Sequence, residues 1–197
     1  MKKKLTVKEI VCGGMFTALV AVGAFIQVPV PGMDYFTLQF LFVLLAGMVL
    51  GSKMGAVSVG AYVLLGLCGL PVFAAGGGIS YIFRPSFGYL LGFLLAAFLV
   101  GLVVENGRIR GYGKYLAAAF AGFSVTYLIG LAYKYLMLNY YVGEKTAFVM
   151  VLADCFPLDM PGDIVLCFLS AGLAVRLVPA SRSILGTISK ENGKEAL

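Results

Sequence analysis

Apolar residues in this chain come in long unbroken runs, with neither the alternation of a half-buried strand nor the narrow stripe of a soluble helix. About 20 apolar residues carry a helix across the hydrocarbon of a bilayer, and fewer suffice where the bilayer thins. Six runs predict helices over Val11–Val28, Phe36–Gly51, Met54–Leu70, Phe87–Val104, Tyr115–Leu138 and Pro161–Val178. The second and third are short and share the tight link Ser52-Lys53. Pro161 falls in a helix first turn, where a missing N–H costs nothing. The first run follows Lys2, Lys3, Lys4 and Lys8, as in a signal peptide, but it has no small-x-small cleavage site and five spans come after it, so it reads as a retained helix. No internal repeat is visible. The expected fold is an all-α integral membrane protein, one membrane domain over residues 1–197, with 179–197 as a cytoplasmic tail.

Composition turns that pattern into a class. Of 197 residues, 61% are hydrophobic and 12% charged, about half the charge of a soluble domain. Disorder, collagen and nucleic-acid-binding arms are excluded. With no His, serine–histidine triads, His-ligated zinc and His proton relays are excluded too. Cys12, Cys68, Cys155 and Cys167 lie far apart and read as small buried apolar residues. No Walker A loop, Gly-x-Ser-x-Gly or metal-ligand cluster occurs. No catalytic device and no cofactor is expected.

The net charge of +6 is mostly a matter of topology. If the N-terminus is cytoplasmic, twelve of the fifteen basic residues fall in inner segments, as the positive-inside rule requires. Arg84 and Lys145 stay outside, and Lys134 sits toward the outer end of the fifth run. Asp34, Glu144, Asp154, Asp159 and Asp163 fall outside or at the outer rim. Both termini are therefore expected in the cytoplasm, in a multi-pass protein of a cell membrane.

The inner links are short and charged. The outer ones, Pro29–Tyr35, Pro71–Ser86 and Asn139–Met160, are long and rich in Gly, Pro and aromatics. Long loops of this kind are usually functional or disordered; these are too apolar for disorder and are expected to fold over the bundle as a lid.

The candidate site residues lie there. Gly76, Gly77 and Gly78 allow a backbone to approach a ligand closely, and non-helical backbone at membrane depth must line a cavity or be buried in protein. Phe73, Tyr81, Phe83, Phe87 and Tyr89 interleave with them as a candidate aromatic wall. Arg84 offers a fork that suits a carboxylate; a lipid headgroup or an ion pair with Asp159 or Asp163 would also satisfy it. Lys134, inside a span, is a second candidate cation, with snorkelling or a pair to Asp163 as its alternatives. Asp163 follows Pro161-Gly162 at the expected start of the last helix, either as a cap or as an acceptor for ligand N–H groups. Gln39, a buried amide, needs a partner in a ligand or in another helix. In the first helix, Gly13, Thr17 and Ala21 form one stripe and Gly14 and Ala18 another, suited to close packing within the bundle or against a second membrane subunit.

Several stretches carry a family likeness. Val22-Gly-Ala-Phe-Ile-Gln-Val-Pro-Val-Pro31 with Phe36-Thr-Leu-Gln-Phe-Leu-Phe-Val-Leu-Leu-Ala-Gly47, then Gly66-Leu-Cys-Gly-Leu-Pro-Val-Phe-Ala74 with Pro85-Ser-Phe-Gly-Tyr-Leu-Leu-Gly-Phe93, and Pro161-Gly-Asp163 resemble BioY, the biotin-binding S component of energy-coupling-factor transporters. The resemblance covers residues 10–178. It implies six helices, no ATPase of its own, and biotin bound on the extracytoplasmic side of a bacterial membrane, under the first and middle outer loops. It implies partnership with a transmembrane energising subunit and ATPase subunits, docked through Gly14, Thr17, Ala18 and Ala21. Two positions depart from the family pattern: Leu166 stands where a Lys is usual, and Ser86 where a Thr is usual. The lost Lys turns attention to Arg84 or Lys134 for the carboxylate. Another vitamin or small carboxylate as ligand is the runner-up, and an intramembrane enzyme or assembly factor is the reading from a different class.

Overall fold

The computed structural model describes residues 6–28, 36–106, 111–155 and 159–191, with side chains as far as 181. Seven α-helices are described: α1 (Val7–Phe25), α2 (Gln39–Leu50), α3 (Ser52–Leu67), α4 (Phe87–Glu105), α5 (Tyr112–Leu136), α6 (Phe148–Cys155) and α7 (Asp159–Glu191). By length and composition α1, α4, α5 with its extension to Val142, and α7 can each cross a membrane, while α2 and α3 are shorter apolar helices.

The ends of the elements show why the sequence pattern misjudged some boundaries. α1 starts four residues earlier than expected because Thr6 and Glu9 close its first turn: the Glu9 carboxylate accepts from the Thr6 N–H at 2.8 Å and from its hydroxyl at 2.7 Å, a reciprocal cap that apolar runs do not reveal. α1 stops at Phe25 and α2 begins only at Gln39 because the residues between pair as strands. β1 (Gln27–Val28) runs antiparallel to β2 (Phe36–Thr37), with Gln27 opposite Thr37. The all-α expectation thus gains one short ribbon. Pro29, Pro31 and Asp34 lie outside the described residues.

α2 is the central helix. It is apolar all round, and a helix of that kind belongs inside a bundle; Phe40 through Met48 are buried except Phe42. It packs against α1, α3, α4 and α7. Glycines set how closely helices approach. A Cβ at Gly47 would lie 2.5 Å from the Ala97 carbonyl oxygen, one at Gly92 2.9 Å from the Thr126 Cα, and one at Gly101 would strike the Ser52 nitrogen. The α2–α3 turn is held at that last point. Glu105, closing α4, accepts from the Ser52 N–H and the Ser52 hydroxyl, each at 2.8 Å, so a carboxylate from another helix satisfies the free donors opening α3.

The middle and third outer segments are more ordered than loops. α3 ends at Leu67, three residues before the expected boundary, and Gly69 turns the chain at φ +107°. Residues Phe73 and Gly76 then bond each other in a tight turn, and Gly78 N–H returns to the Gly66 carbonyl at 2.7 Å. A 3-10 helix, Ile79–Phe83, leads into α4. Beyond α5 a π-helical turn, Met137–Val142, precedes α6, so the third outer segment contains a helix where the sequence suggested a loop. α7 begins at Asp159 and continues past Val178 to Glu191 with Pro179 inside it; much of the expected tail is helix.

Candidate ligand site

One cavity opens at the end of the bundle where α2, α4 and α7 begin and α5 ends. Its apolar walls come from Phe36, Phe40, Tyr81, Tyr89, Leu90 and Phe93, and its polar lining from Thr37, Gln39, Arg84, Ser86, Tyr127, Asp159 and Asp163. Four helices and the middle segment therefore contribute to one space.

The polar centre is buried. The Tyr127 hydroxyl donates to Asp163 Oδ2 at 2.9 Å, with Tyr127 only 4% and Asp163 9% exposed. A carboxylate taken out of water needs such a partner. The sequence left open whether Asp163 caps the last helix. α7 starts four residues before it, so its carboxylate faces inward to Tyr127 and Asp159 occupies the first turn. The Tyr127 ring is fixed on two sides, by Phe123 at 4.5 Å and by Tyr89 in edge-to-face contact at 5.9 Å. The Tyr89 ring fills the notch at Gly130, and its hydroxyl meets Cys155 Sγ of α6 at 3.0 Å. Gln39 is 3% exposed and its Nε2 has no hydrogen-bond partner among the described residues, an expensive state for a buried amide.

Arg84 stands at the rim, exposed, its guanidinium carbon 5.4 Å from the Tyr81 ring centroid. Among the described residues it forms no ion pair, so neither Asp159 nor Asp163 neutralises it.

Gln39, Tyr81, Arg84, Tyr89 and Asp163 thus come together at one cavity. The other candidates stand behind or beside it. Phe73 is buried at 1% exposure, packed on Tyr62 at 5.4 Å and Tyr81 at 4.5 Å, its ring pressed into the space a Cβ on Gly66 would need. Gly76 and Gly78, at φ +109° and +104°, shape the turn that carries Phe73 inward, and Gly77 lies against the Leu70 carbonyl. Their conformational freedom serves the turn rather than the lining. Lys134 is buried, with its Nζ 4.0 Å from Asp154 of the α6 region instead of near Asp163.

Sequence reasoning missed Tyr127, Phe40, Phe93 and Asp159. The first had a signal: Tyr127, Gly130, Leu131 and Lys134 follow helical spacing along one buried face of α5, and a phenol within a span must find an acceptor. The two stripes of α1 separate in space. Gly14 and Ala18 are exposed, whereas the Thr17 hydroxyl donates to the Ser58 carbonyl of α3 at 2.9 Å and Ala21 is half-buried.

The BioY family model matches residues 1–183. The chain belongs to the BioY family. A probable biotin transporter BioY from Lysinibacillus sphaericus is 39% identical over 196 residues, covering 98% of this chain and all of that protein. The biotin transporter BioY of Thermotoga maritima is 44% identical over 138 residues, covering 70% of this chain and 78% of its own length. In three dimensions the chain resembles a crystal structure of the S-component for biotin from an ECF-type ABC transporter, with a TM-score of 0.75 and 24% identity over 88% of this chain and 94% of that one. That likeness establishes the fold.

Proposed function

We propose that this chain captures biotin as the S component of an energy-coupling-factor transporter, delivering it for uptake powered by separate transmembrane and ATPase subunits. Its BioY relatives are named as biotin transporters, and its own role is binding, with no chemical conversion of the ligand. The observation that carries the reading is the buried Tyr127–Asp163 pair set among aromatic walls with an unneutralised arginine at the mouth. Biotin has three parts to match: a ureido ring whose N–H groups suit a carboxylate, an apolar bicyclic core, and a carboxylate tail. Asp163 and Gln39 take the ring, Tyr81, Tyr89 and their neighbours take the core, and Arg84 takes the tail. Phe73, Gly76, Gly77 and Gly78 support that wall from behind, and Lys134 holds α6 beside it.

In this reading six helices, α1 to α5 and α7, cross the membrane, with the cavity outside and both termini in the cytoplasm. The distribution of Lys and Arg supports that orientation. A thiol at the exposed positions Ser80 and Lys53 tests it in a Cys68→Ser background, which removes the exposed native thiol: Ser80→Cys reacts with an impermeant maleimide on whole cells, and Lys53→Cys does not. The exposed Gly14–Ala18 stripe is the docking face for the energising subunit, with Thr17 and Ala21 at its inner edge.

The ligand assignment is tested by titrating biotin and its neutral amide against Arg84→Gln. Losing a charge-assisted bidentate contact costs ~1.5–3 kcal/mol, so the Kd for biotin rises about ten- to hundredfold while that for the amide barely moves. Equal losses for both ligands would remove Arg84 from the site and hand the carboxylate to Lys134.

A further inference from the structure

We propose that Tyr127 is a positioning residue for ligand recognition: its hydroxyl occupies one oxygen of Asp163 and thereby turns the other, Oδ1, into a single aimed acceptor for a ligand N–H. The inference rests on the biotin reading above and deepens it. The hydrogen bond runs between α5 and α7, from the Tyr127 hydroxyl to Asp163 Oδ2 at 2.9 Å, with both groups buried at the cavity. Oδ1 has no hydrogen bond among the described residues. A free carboxylate on a flexible torsion presents two equivalent oxygens over a range of angles, because its terminal torsion is broad and roughly two-fold. A donor fixed on one oxygen removes that freedom and leaves the other held in one direction.

The donor is itself held firmly. The Tyr127 ring lies 4.5 Å from Phe123 on its own helix and meets the edge of Tyr89 at 5.9 Å. The Tyr89 ring in turn fills the Gly130 notch and its hydroxyl engages Cys155. The phenol therefore has little room to turn toward a ligand. Its hydrogen stays on Asp163, and the ligand meets the carboxylate. Orientation settled before binding does not have to be settled during it, which is how a preorganised site gains affinity.

Tyr127→Phe keeps the ring and removes the hydroxyl. Biotin binding to the purified chain is expected to weaken about tenfold, in the range for a hydrogen bond to a charged group. In an Asp163→Ala background, which has no side-chain acceptor, the same change should cost less than twofold, because a residue acting through Asp163 has nothing left to orient; such non-additivity is what a double-mutant cycle isolates. A merely structural ring would give equal losses in both backgrounds, and that result overturns the proposal. The unmodified protein supplies a second reading that needs no variant to fold. In a crystal structure with biotin, the Tyr127 hydroxyl should remain on Asp163 Oδ2 with a ligand nitrogen on Oδ1; a hydroxyl turned onto the ligand contradicts it. Absence of saturable biotin binding by the unmodified chain would instead sink the biotin reading, so the two failures are distinguishable.

Discussion

The two ends of the helical bundle are built on opposite plans. At the cavity end, polar groups keep unused capacity: among the described residues the buried Gln39 Nε2 has no partner, the buried Asp163 uses one oxygen, and the exposed Arg84 forms no ion pair. At the other end Gly51 turns the chain in a single residue, and Glu105 satisfies both the N–H and the hydroxyl of Ser52. Backbone there approaches backbone at Gly101 with no room for a methyl group. Unmet hydrogen-bonding capacity in a buried space costs stability; Ser58 Oγ and Thr126 Oγ1 are also without a partner among the described residues, so what sets the cavity end apart is that Gln39, Asp163 and Arg84 line one shared space. The closed end gives that site a rigid base.

That contrast can be broken most severely at the closed end. Gly101→Leu would drive a side chain into the Ser52 backbone, which cannot move aside as a flexible side chain could. Overpacking of this kind costs 1–3 kcal/mol or more, and the variant is expected to lose its monodisperse peak in detergent. A well-behaved Gly101→Leu protein would mean that the α3–α4 contact is loose. Glu105→Ala is milder. It strips two hydrogen bonds to a carboxylate from the opening of α3 and should lower stability by about 1–2 kcal/mol, read as a fall in the melting midpoint. The Kd for biotin should stay within twofold, because the carboxylate lies at the far end from the cavity. A large change in Kd would show that the two ends are coupled. The smallest effect on the isolated chain belongs to Ala18→Trp. The residue is exposed on α1, so binding and melting should hold nearly constant. Co-purification with an energising subunit should drop sharply, since an indole holds two helices apart. Normal co-purification would move the docking face elsewhere.

Much of this architecture is legible in the sequence because a bilayer allows few solutions. Apolar runs must become helices, and the runs at Phe87 and Tyr115 mark α4 and α5 to within a few residues. The boundaries that were misread depend on local polar chemistry: the Thr6–Glu9 cap extends α1, and the Gln27–Thr37 pairing shortens α1 and α2. α6 was hidden because eight residues are too few for a span, and its fold depends on burying Val151 and Cys155 against α4 and α5. At the site, unusual residue types carried the signal. A lone outer arginine, an amide in a span and an aspartate by a Pro-Gly pair all reach the cavity. The glycine triplet stands behind the lining of the cavity. Glycine reports that backbone needs freedom or proximity, and here the need came from Phe73 and the turn behind the wall. Tyr127 was missed because its meaning lies in Asp163, 36 positions away in the chain.

We propose that this chain binds biotin at the Asp163 cavity without the help of an energising subunit. Calorimetric titration of the purified chain with biotin tests it directly. Saturable one-to-one binding is expected, and it should weaken about a hundredfold in Asp163→Asn, the upper range for hydrogen bonds to a charged group, in a variant expected to fold because the carboxyl group does not cap α7. Binding that is absent, or that persists unchanged in Asp163→Asn, would contradict it.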